Sequence, residues 1–132
     1  MLVGTGIDLV EIKRFEDILK RYGEKFLSRI YTEGERNYCR ERRNHHEHLA
    51  ARFCAKEAVR KAFGNHSSSL RWLEVEVEND TGGKPLINLT GQARALAVSL
   101  EIREILVTIS HSRRYAVAQA ILISSSTHRG ED

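Results

Sequence analysis

The chain has 132 residues, with 21 Lys and Arg against 18 Asp and Glu, a formal net charge of +3, two cysteines and one proline. At this length a single domain is the most economical organisation, able to bury roughly two thirds of its unfolded surface. Cys39 and Cys54 lack metal-ligand spacing and are too few for a disulfide framework, no apolar run approaches a membrane span, and the N-terminus lacks the basic-then-apolar order of a secretory signal. A soluble, cytoplasmic protein with reduced thiols is expected.

Residues 2–10 read as a strand with Val3, Ile7 and Leu9 on one face and Gly4, Gly6 and Asp8 on the other. A helix is predicted over 11–22, with Ile12, Phe15, Ile18, Leu19 and Tyr22 as its apolar stripe and Lys13, Arg14, Lys20 and Arg21 on its outer side. Thr32 and Glu35 have the spacing of a capping box opening a short helix, and Asn44 with Glu47 marks the start of a long one over 45–63. In that long helix Ala51, Cys54, Ala55, Ala58, Val59 and Ala62 share an arc of small apolar side chains, while Leu49, Phe53 and Phe63 lie opposite, so it is expected to be covered on two sides. Glu57 and Lys61 are one turn apart near the edge of the small arc, and Arg52, Lys56 and Arg60 follow at four-residue intervals.

Gly64 to Ser69 is a loop by composition. Leu73, Val75 and Val77 alternate with Glu74, Glu76 and Glu78 in a half-exposed strand that ends at the turn Asp80-Thr81-Gly82-Gly83, and residues 85–89 are expected to pair back. A second amphipathic helix is predicted over 90–102, and a hairpin of 105–110 with 115–123 closes the chain. The fold class is α+β, a mainly antiparallel sheet with helices packed on one side. Residues 124–132 read as a disordered tail after a single domain over 1–123.

A strand face cleared by Gly4 and Gly6 is where a small-residue helix can approach closely, which would bring Asp8 near Glu57. Two carboxylates at one site need a cation or a shared proton. Oxygen ligands with open positions suit magnesium, which fills the rest of its shell with water and substrate phosphates, and Lys61 with neighbouring arginines would neutralise those phosphates. His45 and His48 are one turn apart, but no third ligand is spaced to join them as a zinc site, and Gly4-x-Gly6 lacks the third glycine of a dinucleotide fingerprint. From the residues alone, a magnesium-dependent phosphoryl or nucleotidyl transferase using Asp8 and Glu57 stands beside a small RNA-binding domain. A pI near 9.0 favours the latter, and Glu-rich strands without aromatics to stack bases oppose it.

Four motifs narrow the choice. Gly6-Ile7-Asp8-Leu9-Val10-Glu11-Ile12, Phe53-x-x-Lys56-Glu57-Ala58-x-x-Lys61-Ala62-Phe63-Gly64, Gly83-Lys84-Pro85, and Thr108-Ile109-Ser110-His111-Ser112 followed by Tyr115-Ala116-x-Ala118 stand in this order and spacing. Together they resemble the holo-[acyl-carrier-protein] synthases, the small stand-alone class of phosphopantetheinyl transferases, over roughly residues 1–123.

The resemblance implies the 4′-phosphopantetheinyl transferase fold and a homotrimer with coenzyme bound between subunits. It implies transfer of the 4′-phosphopantetheine group from coenzyme A to a serine of apo-acyl carrier protein, releasing adenosine 3′,5′-bisphosphate, for fatty acid biosynthesis, with neither nucleic acid nor membrane as partner. It assigns catalysis to Asp8, Glu57 and Lys61, magnesium to Asp8 and Glu57, coenzyme binding to Arg52, Lys61, Lys84 and His111, and carrier docking to Arg14 and Arg21. After Gly64 the family commonly continues Thr-Gly, where this chain has Asn65-His66, a departure in a loop that contacts coenzyme. Replacing Arg14 and Arg21 together with Glu is expected to raise the Michaelis constant for acyl carrier protein at least about tenfold at low salt and to flatten its salt dependence. Carrier kinetics at two salt concentrations, with calorimetric titration of coenzyme A as the control, check this.

Overall fold

A computed structural model, which describes residues 1–125, places β1 (Leu2–Glu11) antiparallel to β5 (Tyr115–Ser124), which pairs antiparallel on its other side with β4 (Ile102–His111). A separate antiparallel hairpin joins β2 (Val75–Asn79) to β3 (Pro85–Leu89) through the Asp80–Lys84 turn, so the expected antiparallel architecture divides into two sheets. Between β1 and β2 run α1 (Ile12–Ile30), α2 (Glu33–Arg40) and α3 (His45–Ala62), and α4 (Gly91–Ser99) follows β3.

Several expected boundaries shift for local reasons. α1 runs past residue 22, because Gly23 takes positive φ (59°) at a kink and the chain resumes helix as far as Ile30. Of its expected stripe, Ile12, Phe15 and Leu19 are buried, whereas Ile18 and Tyr22 are exposed. Leu73 belongs to a short 3-10 turn (Trp72–Glu74) and is exposed, so the strand starts at Val75. α4 ends at Ser99, where Glu101 at positive φ closes the helix with its N–H on Val98 O, and Ile102 then enters β4. Gly64–Ser69 coils into a 3-10 turn. Ser124, assigned from sequence to the tail, is the last residue of β5, with its N–H on Met1 O, and the rest of the expected tail beyond Ser125 lies outside the described residues.

The core lies where α3 crosses the inner face of the β1–β5–β4 sheet. That face carries Gly4, Gly6 and Asp8 from β1, Ala116, Ala118, Ala120 and Leu122 from β5, and Val107 from β4. A Cβ at Gly6 would overlap the Ala58 carbonyl oxygen and come within 2.7 Å of Ala62 N, and one at Gly4 would overlap Ala62 O. α3 is buried through Ala50, Ala51, Cys54, Ala55, Ala58, Val59 and Ala62, as its two-sided pattern predicts. The outer face of the sheet has no covering layer among the described residues, and it exposes Ile7, Leu9 and Leu106.

On the opposite side of α3, Lys56 is fully buried and paired at 2.7 Å with the equally buried Glu35. Glu35 Oε1 also accepts from Thr32 N, completing the capping box of α2, and its Oε2 accepts from Val77 N at 2.6 Å. Burial pulls the Lys56 ammonium below its ordinary range, and Glu35 opposes that fall. Lys56→Met should cost about 3–5 kcal/mol by leaving a buried carboxylate unpaired, and Gly6→Ala about 1–3 kcal/mol by overpacking. Urea denaturation of each variant measures both.

Candidate active site

β1 and α3 meet without side chains between them at Gly6, and two residues further along β1 Asp8 projects from the same face. Lys61, which stands beside Gly6 on α3, returns along the strand: its Nζ donates to Asp8 Oδ1 at 3.0 Å and to Ile7 O at 3.2 Å. The Asp8 side chain is 13% exposed against 52% for Lys61, so the carboxylate is recessed and the ammonium faces solvent. Asp8 Oδ2 is buried and has no hydrogen-bond partner. A buried carboxylate oxygen in that position retains a desolvation cost that a bound cation would offset.

Glu57 lies one turn before Lys61 on the same helix. Its Oε2 accepts from Arg60 Nη1 at 2.6 Å. Arg60 is itself fixed, with Nε donating to Leu70 O at 3.2 Å and its guanidinium 4.5 Å above the Trp72 ring, which stacks on Phe53. Asp8 and Glu57 would offer carboxylate oxygens, one of them without a hydrogen-bond partner, and that donor type suits a hard divalent ion such as magnesium. Among the described residues no three His, Cys, Asp or Glu side chains converge on one point, so water and substrate would supply the other ligands. Cys54 sits beside this site with its thiol donating to Ala116 O, and burial first and the Asp8 charge second push its pKa to about 12. It stays protonated at neutral pH and is no nucleophile.

The second group of predicted residues stands elsewhere. Arg52 is buried, with Nη2 donating to Asn79 Oδ1 at 2.6 Å, its Nε without a partner and its guanidinium 3.9 Å from the Tyr38 ring. Asn79 Nδ2 donates to Gly83 O, which ties Arg52 to the turn that carries Lys84. The Arg42 guanidinium also lies over the Tyr38 ring, 3.4 Å from its centroid, and these groups border a cavity of about 480 Å³ beside β2. His111 ends β4, with its ring edge-on to His48 and Nδ1 3.3 Å from Glu47 Oε1.

The structure thus brings Asp8 and Lys61 into contact with Glu57 one turn away, and joins Arg52 to the Lys84 turn. Arg52 and Glu57 are five positions apart in the chain, which turns them about 140° apart around α3, so one chain does not present both groups on one face. Arg14 and Arg21 are exposed on α1, next to the exposed Ile18 and Tyr22. Of the His45–His48 cluster, His46 pairs with Glu16 at 2.7 Å and His48 packs against Tyr38 and His111. Tyr38, Arg42 and Asn79 escape sequence reasoning, because their partners are far away in the chain and no periodicity marks them. The anchoring role of Arg60 was detectable as an i,i+3 neighbour of Glu57.

The chain is similar to known proteins over most of its length. Residues 4–120 match the 4′-phosphopantetheinyl transferase superfamily (ACPS). The holo-[acyl-carrier-protein] synthase of Desulforudis audaxviator is 44% identical over 126 residues, 96% of each chain, and that of Koribacter versatilis is 42% identical over 123 residues, 92% of this chain and 98% of its own. The crystal structure of a holo-(acyl-carrier-protein) synthase from Bacillus anthracis in complex with CoA (3′,5′-ADP) superposes with a TM-score of 0.78 at 39% identity, covering 95% of this chain and 99% of that one. The ACPS–CoA complex of Chronobacterium ammoniagenes does so with a TM-score of 0.82 at 32% identity, covering 93% and 98%.

Asp8→Asn and Glu57→Gln are each expected to lower phosphopantetheinyl transfer by at least about a hundredfold while the circular dichroism spectrum stays that of the parent. Lys61→Met should weaken coenzyme A handling yet change stability by less than about 1 kcal/mol, since an ion pair with one exposed partner contributes little. Steady-state kinetics with thermal melts separate the two effects.

Proposed function

The chain belongs to the 4′-phosphopantetheinyl transferase superfamily, and from that premise we propose that residues 1–123 act as one domain whose chemistry is centred on Asp8, Glu57 and Lys61. It transfers the 4′-phosphopantetheine group from coenzyme A to a serine of apo-acyl carrier protein. The observation that carries the assignment of the centre is the recessed Asp8 carboxylate, with one oxygen on Lys61 and the other buried without a partner, on the strand that packs against the helix bearing Glu57.

The serine oxygen forms a bond to the pantetheine-side phosphorus, the pyrophosphate P–O bond breaks, and adenosine 3′,5′-bisphosphate leaves with the electron pair. Glu57, held by Arg60, is the group in place to take the serine proton. Lys61, already on Asp8, brings a point charge within reach of the pyrophosphate oxygens. Asp8 and Glu57 would hold magnesium, which when bound supplies positive charge to the pyrophosphate and its leaving group. Arg52, Lys84 and His111 bind the coenzyme, with His111 at its adenosine end, and Arg14 and Arg21 dock the acidic carrier. The product serves fatty acid biosynthesis in the cytoplasm. Among the described residues no helix is long and apolar enough to cross a membrane.

The chain is read as a homotrimer with sites shared between subunits, and two observations support the self-association. The outer sheet face leaves Ile7 61% and Leu9 64% exposed, an apolar surface that a second copy can cover. Arg52 also faces away from Glu57 on α3, so a coenzyme that touches both groups draws them most simply from two copies.

Incubation with coenzyme A, magnesium and apo-acyl carrier protein, followed by mass spectrometry of the carrier, tests the reaction. The carrier is expected to gain one phosphopantetheine, and an unchanged carrier mass overturns the reading. Subunit sharing predicts complementation: after mixed refolding of equal amounts of Asp8→Asn and Arg52→Ala chains, each inactive alone, about a quarter of the sites hold both native groups. Activity in the mixture, measured against the separate variants, checks this.

A further inference from the structure

His111 is the last residue of β4, where its backbone pairs with Ala116 and the hairpin turns. An imidazole at such an end has two free torsions, and a ligand that needs it in one orientation has to supply the ordering cost. Glu47, in the first turn of α3, meets that ring: its Oε1 stands 3.3 Å from His111 Nδ1, with side chains 21% and 29% exposed respectively. On its other side the ring meets His48 at 5.3 Å between centroids, and His48 meets Tyr38, whose ring lies under Arg42 and Arg52. Within this row of cationic and aromatic groups Glu47 is the carboxylate that faces His111. The nearby Glu16 carboxylate is engaged by His46 at 2.7 Å.

We propose that Glu47 is a positioning residue for coenzyme binding, which fixes the His111 ring through Nδ1 and leaves Nε2 as the nitrogen presented to the ligand. The proposal rests on the reading above in which His111 contacts coenzyme A. A carboxylate 3.3 Å from Nδ1 favours a proton on that nitrogen, which leaves Nε2 to face the ligand. Glu47 therefore sets two properties of His111 before any ligand arrives: where the ring points, and which nitrogen is free. Such an outer partner holds its neighbour in the way a carboxylate behind a metal-bound histidine holds that ring.

The test compares Glu47→Ala, Glu47→Met, Glu47→Gln, His111→Asn and the double variant Glu47→Ala/His111→Asn in full-length protein. The two variants without an acceptor, Ala and Met, are expected to raise KM for coenzyme A about tenfold and to move kcat by less than about twofold. Gln retains an acceptor for Nδ1–H and should recover most of the loss. The double variant should be no worse than His111→Asn, since the two residues act through one ring. In the free protein, ¹⁵N NMR of the ring should show the Nδ1–H form in the parent and a shift towards Nε2–H with Glu47→Ala or Glu47→Met. Parental KM in the Ala and Met variants, with a raised KM in His111→Asn, overturns the role of Glu47 and leaves the coenzyme reading standing. An additive double variant also overturns it. A parental KM in His111→Asn removes the coenzyme role of His111, and this proposal falls with it. Circular dichroism confirms that each variant is folded, and Met, with helix propensity and volume close to Glu, carries the test if Ala unfolds.

Discussion

The site depends on one steric condition: β1 can lie against α3 only because Gly4 and Gly6 have no Cβ. At Gly6 a methyl group would occupy the space of the Ala58 carbonyl oxygen, and at Gly4 that of Ala62. The helix meets this condition from its side with Ala51, Ala55, Ala58 and Ala62, and β5 adds Ala116, Ala118 and Ala120 beneath. Close backbone approach on both sides puts Asp8 at the helix surface rather than a side chain's length away from it, and the Lys61 ammonium reaches both the Asp8 carboxylate and the Ile7 carbonyl. Bulk at either glycine would push β1, and Asp8 with it, away from α3.

The adjacent residues Lys56 and Glu57 do opposite work. Lys56 turns inward to Glu35, where one carboxylate caps α2, receives the Lys56 ammonium and accepts from Val77 N on β2. A charge buried this completely is tolerated because every strong donor around Glu35 is aimed at it, and the same arrangement locks α2, α3 and β2 in one register. Glu57 turns outward, steadied by Arg60 on its Trp72 platform. A single helical motif thus supplies a buried ion pair and a partly exposed carboxylate, separated by the 100° that one residue turns along α3.

The outer face of the sheet explains a feature that folding of one chain does not use. Ile7 and Leu9 alternate with Gly6 and Asp8 as a two-residue period requires, yet the apolar members of that alternation point to solvent and the inward members are glycine and a carboxylate. Burying them takes another surface, and under the proposed self-association a second copy would supply it.

The sequence by itself determined the elements and much of the chemistry. The Thr32–Glu35 capping box, the small-residue arc of α3, the Asp80–Lys84 turn, the closing hairpin and the pairing of a glycine-cleared strand with a glutamate-bearing helix follow from local spacing, because capping, amphipathicity and turn formation are short-range effects. The motifs also singled out Asp8 and Lys61, which the structure brings into contact. What only the tertiary structure decided are the partners of residues whose contacts cross the chain: Lys56 with Glu35, Arg52 with Asn79, Tyr38 beneath two arginines, and Glu47 against His111. Spacing along a helix gives the direction of a side chain but not what lies in that direction. It could not show that the stripe of α1 leaves Ile18 and Tyr22 exposed, that the helix continues past a kink at Gly23, or that Arg52 and Glu57 find separate partners in Asn79 and Arg60.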